Sequence, residues 1–332
     1  MKISKDLSVG KILEKSARTV PEKVALVAGD LRKTFKELNG MSDSLAGAFS
    51  SLGFKKGDRV AIYMRNSVEL FVSFYALQKL GVIVVWVNPM YRMVESEFIL
   101  KNSGAKGVVI FRQWDGYDYL DSITAIHKDL PELESIILVG EGQGRGVHLF
   151  HDLLTRDARH PFSPPPIDLT EDLSMLIYTS GTTGKPKGAM ITHYQAIRAG
   201  WEYSRGVDAA SGDIFIGILP MTHSYGCGSI LIQPVLLGAT VVLMEKFEVE
   251  AAFKLIEKEK ITLQLGSPTH YILELNHPRR KNYDLTSLRA GLIAGQRAPE
   301  GLITRVEKEL GIYLTSFWGS TEVGPGLGII CP

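Results

Sequence analysis

Short apolar runs rich in β-branched residues alternate with longer amphipathic runs along almost the whole chain, and this alternation narrows the fold more than any other feature. The spacing predicts strands at 59–64, 82–87, 107–111, 135–139 and 173–178, separated by helices at 67–80, 95–102 and 120–128. Thr34-Phe35-Lys36-Glu37 reads as a capping box opening an earlier helix, with Gly53 as its stop. The pattern breaks at the glycine-rich 141–146 and the four prolines of 161–166. It resumes with strands at 214–219, 240–243, 262–265, 288–294 and 313–317 and helices at 224–236, 249–260, 269–275 and 299–310. The expected fold class is α/β, with helices packed on β-sheets in two related α/β subdomains, at about 55–190 and at 1–54 plus 191–332.

Charge and cysteine content exclude several classes. The 37 basic and 36 acidic side chains leave a net charge of +1, without the basic excess of a general nucleic-acid binder. Two cysteines, Cys227 and Cys331, cannot form a disulfide framework, and no CxxC metal spacing exists. Residues 1–15 are charged throughout, unlike a secretory leader, and runs such as 82–87 are too short to span a bilayer. A reduced, cytoplasmic protein with no integral membrane segment is the expectation.

The densest chemistry lies at Tyr178-Thr179-Ser180-Gly181-Thr182-Thr183-Gly184-Lys185-Pro186-Lys187-Gly188, directly after an apolar strand. The glycines Gly181, Gly184 and Gly188 let backbone amides turn into one cavity. The hydroxyls of Thr179, Ser180, Thr182 and Thr183 can donate to phosphate oxygens, and Lys185 and Lys187 supply positive charge. The plainer reading is a solvated polar loop. A Walker A loop is excluded, because only Thr182 and Thr183 separate Gly181 from Gly184 and Pro186 follows Lys185.

This loop resembles the signature of the adenylate-forming superfamily, which includes acyl-CoA synthetases, firefly-luciferase-like enzymes and peptide-synthetase adenylation domains. Four further segments, in the family's order, extend the resemblance over nearly the whole chain. They are Val87-Asn88-Pro89-Met90-Tyr91-Arg92, Leu219-Pro220-Met221-Thr222-His223-Ser224-Tyr225-Gly226, Gly295-Gln296-Arg297-Ala298-Pro299 and Trp318-Gly319-Ser320-Thr321-Glu322. The chain is most similar to a fatty-acid or aryl-acid CoA ligase. The fold implied is the large N-terminal domain of such enzymes.

The resemblance implies ATP, Mg²⁺ and a carboxylic acid as ligands, with CoA as co-substrate, and neither nucleic acid nor membrane as partner. Thr182, Lys187, His223 and Glu322 become the catalytic set, with Glu322 as metal ligand. Thr179, Ser180, Gly181, Thr183, Gly184, Lys185 and Gly188 would hold the phosphates. Gly295, Gln296 and Arg297 would line the adenine side, joined by Trp318, Gly319, Ser320 and Thr321, the last at the α-phosphate. Trp318 replaces the family's usual tyrosine; it can stack on adenine or pack in the core. Taken singly, His223 would more simply be a structural histidine, Glu322 a surface acid and Arg297 a solvated cation. Gly319 stands where acetate-specific relatives carry a tryptophan, which favours a medium- or long-chain fatty acid or an aryl acid. An amino- or aryl-acid activator loading a carrier protein, or a non-catalytic nucleotide- or acyl-binding fragment, is the alternative.

A typical relative continues past the Thr-Glu motif with a ribose-binding aspartate, a hinge and a small mobile domain bearing a catalytic lysine. The expectation is therefore a domain truncated before that C-terminal part, weakly active or inactive by itself.

Overall fold

The computed structural model describes residues 4, 6–156, 162–179, 186–324 and 328–331. The chain forms two compact units, Met1–Glu14 with Glu37–Tyr194, and Lys15–Lys36 with Gln195–Pro332. No helix among the described residues is long and apolar enough to cross a membrane.

The first unit is built on a seven-stranded sheet in the order Lys187–Thr192, Leu173–Thr179, Ile83–Trp86, Arg59–Tyr63, Gly107–Phe111, Ser135–Val139, Val147–Leu149. Every neighbouring pair is parallel except the first, which is antiparallel. The central strands are apolar on both faces, as a parallel sheet covered by helices requires: Val60, Ala61, Ile62 and Tyr63 have no accessible surface. The helix Val68–Lys79 starts at Ser67, whose Oγ accepts the Leu70 N–H at 3.1 Å. Inside it, Gln78 Nε2 donates to the Ser174 carbonyl at 2.9 Å and Ser174 Oγ donates to Gln78 Oε1 at 2.7 Å. This pair of bonds fixes the base of the Leu173–Thr179 strand, which leads into the phosphate-loop motif.

The second unit carries an eight-stranded sheet in the order Gly328–Cys331, Tyr313–Gly319, Ala290–Ile293, Leu263–Gly266, Ile214–Gly217, Thr240–Leu243, Val24–Ala28, Leu31–Thr34. Its interior is again parallel, with an antiparallel pair at each edge. The α/β expectation with two sheets therefore holds.

Three departures from the expected details bear on the site and its setting. Residues 1–14, 37–54 and 191–194, expected with the second unit, fall in the first. The helix Phe35–Ser51 is tied there by Lys79, whose buried ammonium donates to Asn39 Oδ1 at 2.8 Å and Asp43 Oδ1 at 2.5 Å. Both described ends of the loop expected at 178–188 are strand: Tyr178 pairs with Gly188 and Thr179 with Lys187. The helix expected at 224–236 is three pieces, Ser224–Gly226, a π-helical Cys227–Ile232 and Gln233–Leu237. Pro234 explains the change. It has no N–H for a regular helical bond, and its ring crowds the preceding turn, so the chain shifts to i→i−5 bonding, with Gln233 N–H on the Gly228 carbonyl.

Candidate functional site

In the first unit the motif is carried by an edge hairpin. Of the predicted phosphate residues, Thr179 ends one strand, and Lys187 and Gly188 begin the next. Ser180, Gly181, Thr182, Thr183, Gly184 and Lys185 lie outside the described residues. Gly188 faces the Tyr178 ring across the ladder; a Cβ there would lie 3.3 Å from it. Tyr178 in turn donates its hydroxyl to Asn102 Oδ1 at 2.7 Å and meets Phe98 edge-on, anchoring the hairpin to the helix Met93–Ser103. Lys187 is exposed. The Asn-Pro segment is also held firmly: Tyr119 donates to the Pro89 carbonyl at 2.7 Å and Tyr63 to the Tyr91 carbonyl at 2.5 Å, while Arg92 sits over the Tyr117 ring.

In the second unit His223 is the N-cap of the Ser224–Gly226 turn. Its backbone is extended, and its Nδ1 accepts the Tyr225 N–H at 3.2 Å. That bond assigns the ring proton to Nε2, the outward nitrogen. The side chain is accessible, yet enough protein surrounds it for desolvation to lower its pKa, which keeps it neutral at neutral pH. Thr321 Oγ1 donates to the buried Ser224 Oγ at 3.0 Å. One hydrogen bond thus joins the Thr-Glu motif to the residue beside His223.

Tyr225 belongs to the same segment as His223. It is buried, and its hydroxyl donates to the Leu292 carbonyl at 3.1 Å, with the Gly266 carbonyl at 3.5 Å. Tyr271 approaches the same Leu292 carbonyl at 3.3 Å and donates to the Gln264 carbonyl at 2.8 Å. The His223 turn is thereby tied to the strand Ala290–Ile293, which runs into Gly295. The sequence signal for Tyr225 was its place in the motif; Tyr271 had none, because its partner is a backbone carbonyl distant in sequence.

Gly295 has φ +88°, a conformation that glycine adopts without strain, and no atom of the described residues lies within 4 Å of where a Cβ would stand. Gln296 and Arg297 are exposed. Trp318 is 61% exposed on the strand Tyr313–Gly319, while its neighbour Phe317 is buried against Tyr203 at 4.9 Å between ring centroids. The core place thus belongs to Phe317, and the Trp318 indole is free to stack on a planar ligand. Gly319 is exposed, Ser320 half-buried, and Glu322 presents an exposed carboxylate in the turn Thr321–Val323. Among the described residues no group of three or more His, Cys, Asp or Glu could hold a metal. A single carboxylate fits Mg²⁺, which takes most of its ligands from phosphates and water.

Both sheets therefore use the same device: a parallel interior closed at one edge by an antiparallel pair, with a motif between its two strands. The model of the AMP-binding enzyme family matches residues 13–331. The chain belongs to the AMP-binding enzyme family. It is 31% identical over 322 residues to 4-coumarate–CoA ligase 3 of Arabidopsis thaliana, covering 94% of this chain and 55% of that one. It is 29% identical over 338 residues to a long-chain-fatty-acid–CoA ligase of Bacillus subtilis (strain 168), covering 95% of this chain and 60% of the relative. Among solved structures, the anthranilate CoA ligase AuaEII in complex with anthranoyl-AMP superposes with a TM-score of 0.88 at 27% identity, covering 96% of this chain and 61% of that one. The chain thus spans less than two thirds of the length of these relatives.

Proposed function

We propose that this chain supplies the ATP- and acid-binding part of an enzyme that activates a carboxylic acid as its adenylate and passes the acyl group to CoA. The observation that carries the reading is the Thr321–Ser224 hydrogen bond beside a neutral His223, since it gathers two motifs remote in sequence around one histidine. Thr179, Lys187 and Gly188, with Ser180, Gly181, Thr182, Thr183, Gly184 and Lys185 between them, bind the β- and γ-phosphates. Thr321 and the Nε2–H of His223 serve the α-phosphate and the acid's carboxylate, where charge develops. Gly295, Gln296, Arg297 and Trp318 take the adenine, with Gly319 and Ser320 alongside. Glu322 would hold Mg²⁺, which supplies Lewis-acid stabilisation of the phosphates when bound. The absence of a bulky side chain at Gly319 supports a medium- or long-chain fatty acid or an aryl acid over acetate.

The test is ATP–pyrophosphate exchange with a panel of acids, on this chain and on a form extended to the length of its relatives. CoA thioester formation is followed in parallel. Lys187→Ala and Glu322→Ala are each expected to lower exchange by roughly ten- to a hundredfold, since each removes a charge that stabilises phosphoryl transfer. Calorimetry gives a second readout: Glu322→Ala should abolish the Mg²⁺ dependence of ATP binding. ATP binding without exchange for any acid, in both forms, would sink the reading. Exchange that requires a carrier protein while CoA stays inert would replace the acceptor.

A further inference from the structure

Gln233 has no accessible surface, and among the described residues neither its side-chain nitrogen nor its oxygen has a hydrogen-bond partner. An amide offers two donors and an acceptor with two lone pairs, and leaving all of them unpaired in a core is costly. Its neighbours in sequence, Ile230, Leu231, Ile232 and Val235, are buried and apolar. The residue follows the π-helical turn Cys227–Ile232, an irregularity found frequently at functional sites. On its backbone side the helix His193–Gly206 comes close, so that a Cβ on Gly200 would lie 3.4 Å from Gln233 Cα. The segment begins at His223, and at helical rise the two residues are on the order of 12–15 Å apart along it. One polar group deep in an apolar wall, remote from the group that faces the carboxylate, is how small-molecule sites fix a ligand's far end.

We propose that Gln233 reads a hydrogen-bonding group, a hydroxyl, carbonyl or carboxamide, at the far end of the acid whose carboxylate lies at His223. This rests on the acid-activating reading above. A hydroxyl can donate to the amide oxygen and accept from its nitrogen. A plain hydrocarbon end would leave the amide unpaired, and sites built to bond a polar group discriminate strongly against analogues that lack it.

The test uses two pairs of acids that differ only at the end: decanoate with 10-hydroxydecanoate, and dodecanoate with 12-hydroxydodecanoate. Binding to this chain in the presence of ATP and Mg²⁺ is measured by calorimetry, for the wild type and for Gln233→Met, which keeps the volume and removes the amide. In at least one pair the wild type should bind the hydroxy acid about tenfold or more tightly. The methionine variant should lose that preference while binding the plain acid at least as well, and should melt no lower than the wild type. Equal binding within both pairs by the wild type, or a preference that survives in the variant, overturns the proposal and leaves Gln233 as a residue bonded to buried water. Plain acids that bind without discrimination sink this inference alone. Failure of all four acids to bind, with ATP still bound, sinks it together with the acid-activating reading.

Discussion

Alanine at position 226 is expected to lower stability by about 3 kcal/mol or more and to remove acid activation. An added Cβ would stand 2.0 Å from the Pro220 carbonyl oxygen and 2.6 Å from its carbon. Both are backbone atoms, so no side chain can swing aside. Conformational freedom is not the issue, because Gly226 has ordinary helical angles of φ −66° and ψ −38°. Space is. The Pro220 carbonyl also accepts the His223 N–H at 3.0 Å, and the His223 carbonyl accepts the Cys227 N–H at 2.8 Å. Pushing Pro220 away therefore opens the turn that aims His223. The melting temperature should fall by roughly 5–10 °C, and exchange with any accepted acid should fall at least a hundredfold. Gly212→Ala is the control: no atom of the described residues lies within 4 Å of its added Cβ, so it should change neither quantity. A Gly226→Ala protein that melts and exchanges like the wild type would remove the basis for placing His223 at the reacting groups.

The fold class was legible because parallel strands buried on both faces must be apolar runs, and helices covering them must be amphipathic. Residues 107–111 and 135–139 were placed to the residue on that basis. What was not legible has particular causes. The helix Val9–Thr19 and strand Val24–Ala28 lie before the first predicted element and were passed over, and the short strand Leu31–Thr34 is polar and half exposed. The strand Lys187–Thr192 was hidden because its first residues belong to the phosphate motif, whose glycines read as loop. The π-helical turn replaces part of a helix expected to run unbroken over 224–236, although Pro234 stands inside that span. At the site, the motif residues could be named from the chain, yet the hydrogen bonds through which Ser224 and Tyr225 act go to partners distant in sequence, and Tyr271 carries no local pattern. Gln233 is the reverse case. A glutamine in an apolar segment is visible in the sequence, but its lack of partners is a property of the folded protein alone.

Changing pH should move stability in opposite directions through two buried groups, one in each unit. Glu274 is wholly buried, and both its oxygens accept from Gln264 Nε2, at 2.9 and 2.8 Å. Burial raises its pKa from 4.5 to about 8, against the smaller lowering by Gln264. The folded state then holds a proton that the unfolded state has released, so stability is full below pH 4.5 and is lost as pH rises through about 8. The change is on the order of 4 kcal/mol. His193 has the opposite sign. Its Nδ1 accepts the Val9 N–H at 3.3 Å, its Nε2 has no hydrogen-bond partner among the described residues, and burial lowers its pKa from 6.5 to about 4. Protonating Nδ1 would set two donors against each other, so stability is full above pH 6.5 and is lost as pH falls through about 4, by on the order of 3 kcal/mol. Glu274→Gln should therefore gain on the wild type steadily from pH 4.5 to 8 and stay level below that range. His193→Asn, whose side chain can still accept the Val9 N–H, should gain only as pH falls from 6.5 to 4. Melting temperatures of the three proteins across pH 4–8.5 check both, and a difference that does not vary with pH would remove the corresponding buried group as the cause. Between pH 4.5 and 6.5 the two effects oppose each other, so the wild type should show a plateau there although each variant, measured against it, slopes. Because His193 belongs to the first unit and Glu274 to the second, acid weakens one sheet and mild alkali the other. The second unit carries His223, Thr321 and Glu322, so the acid binding proposed above should weaken as pH rises towards about 8.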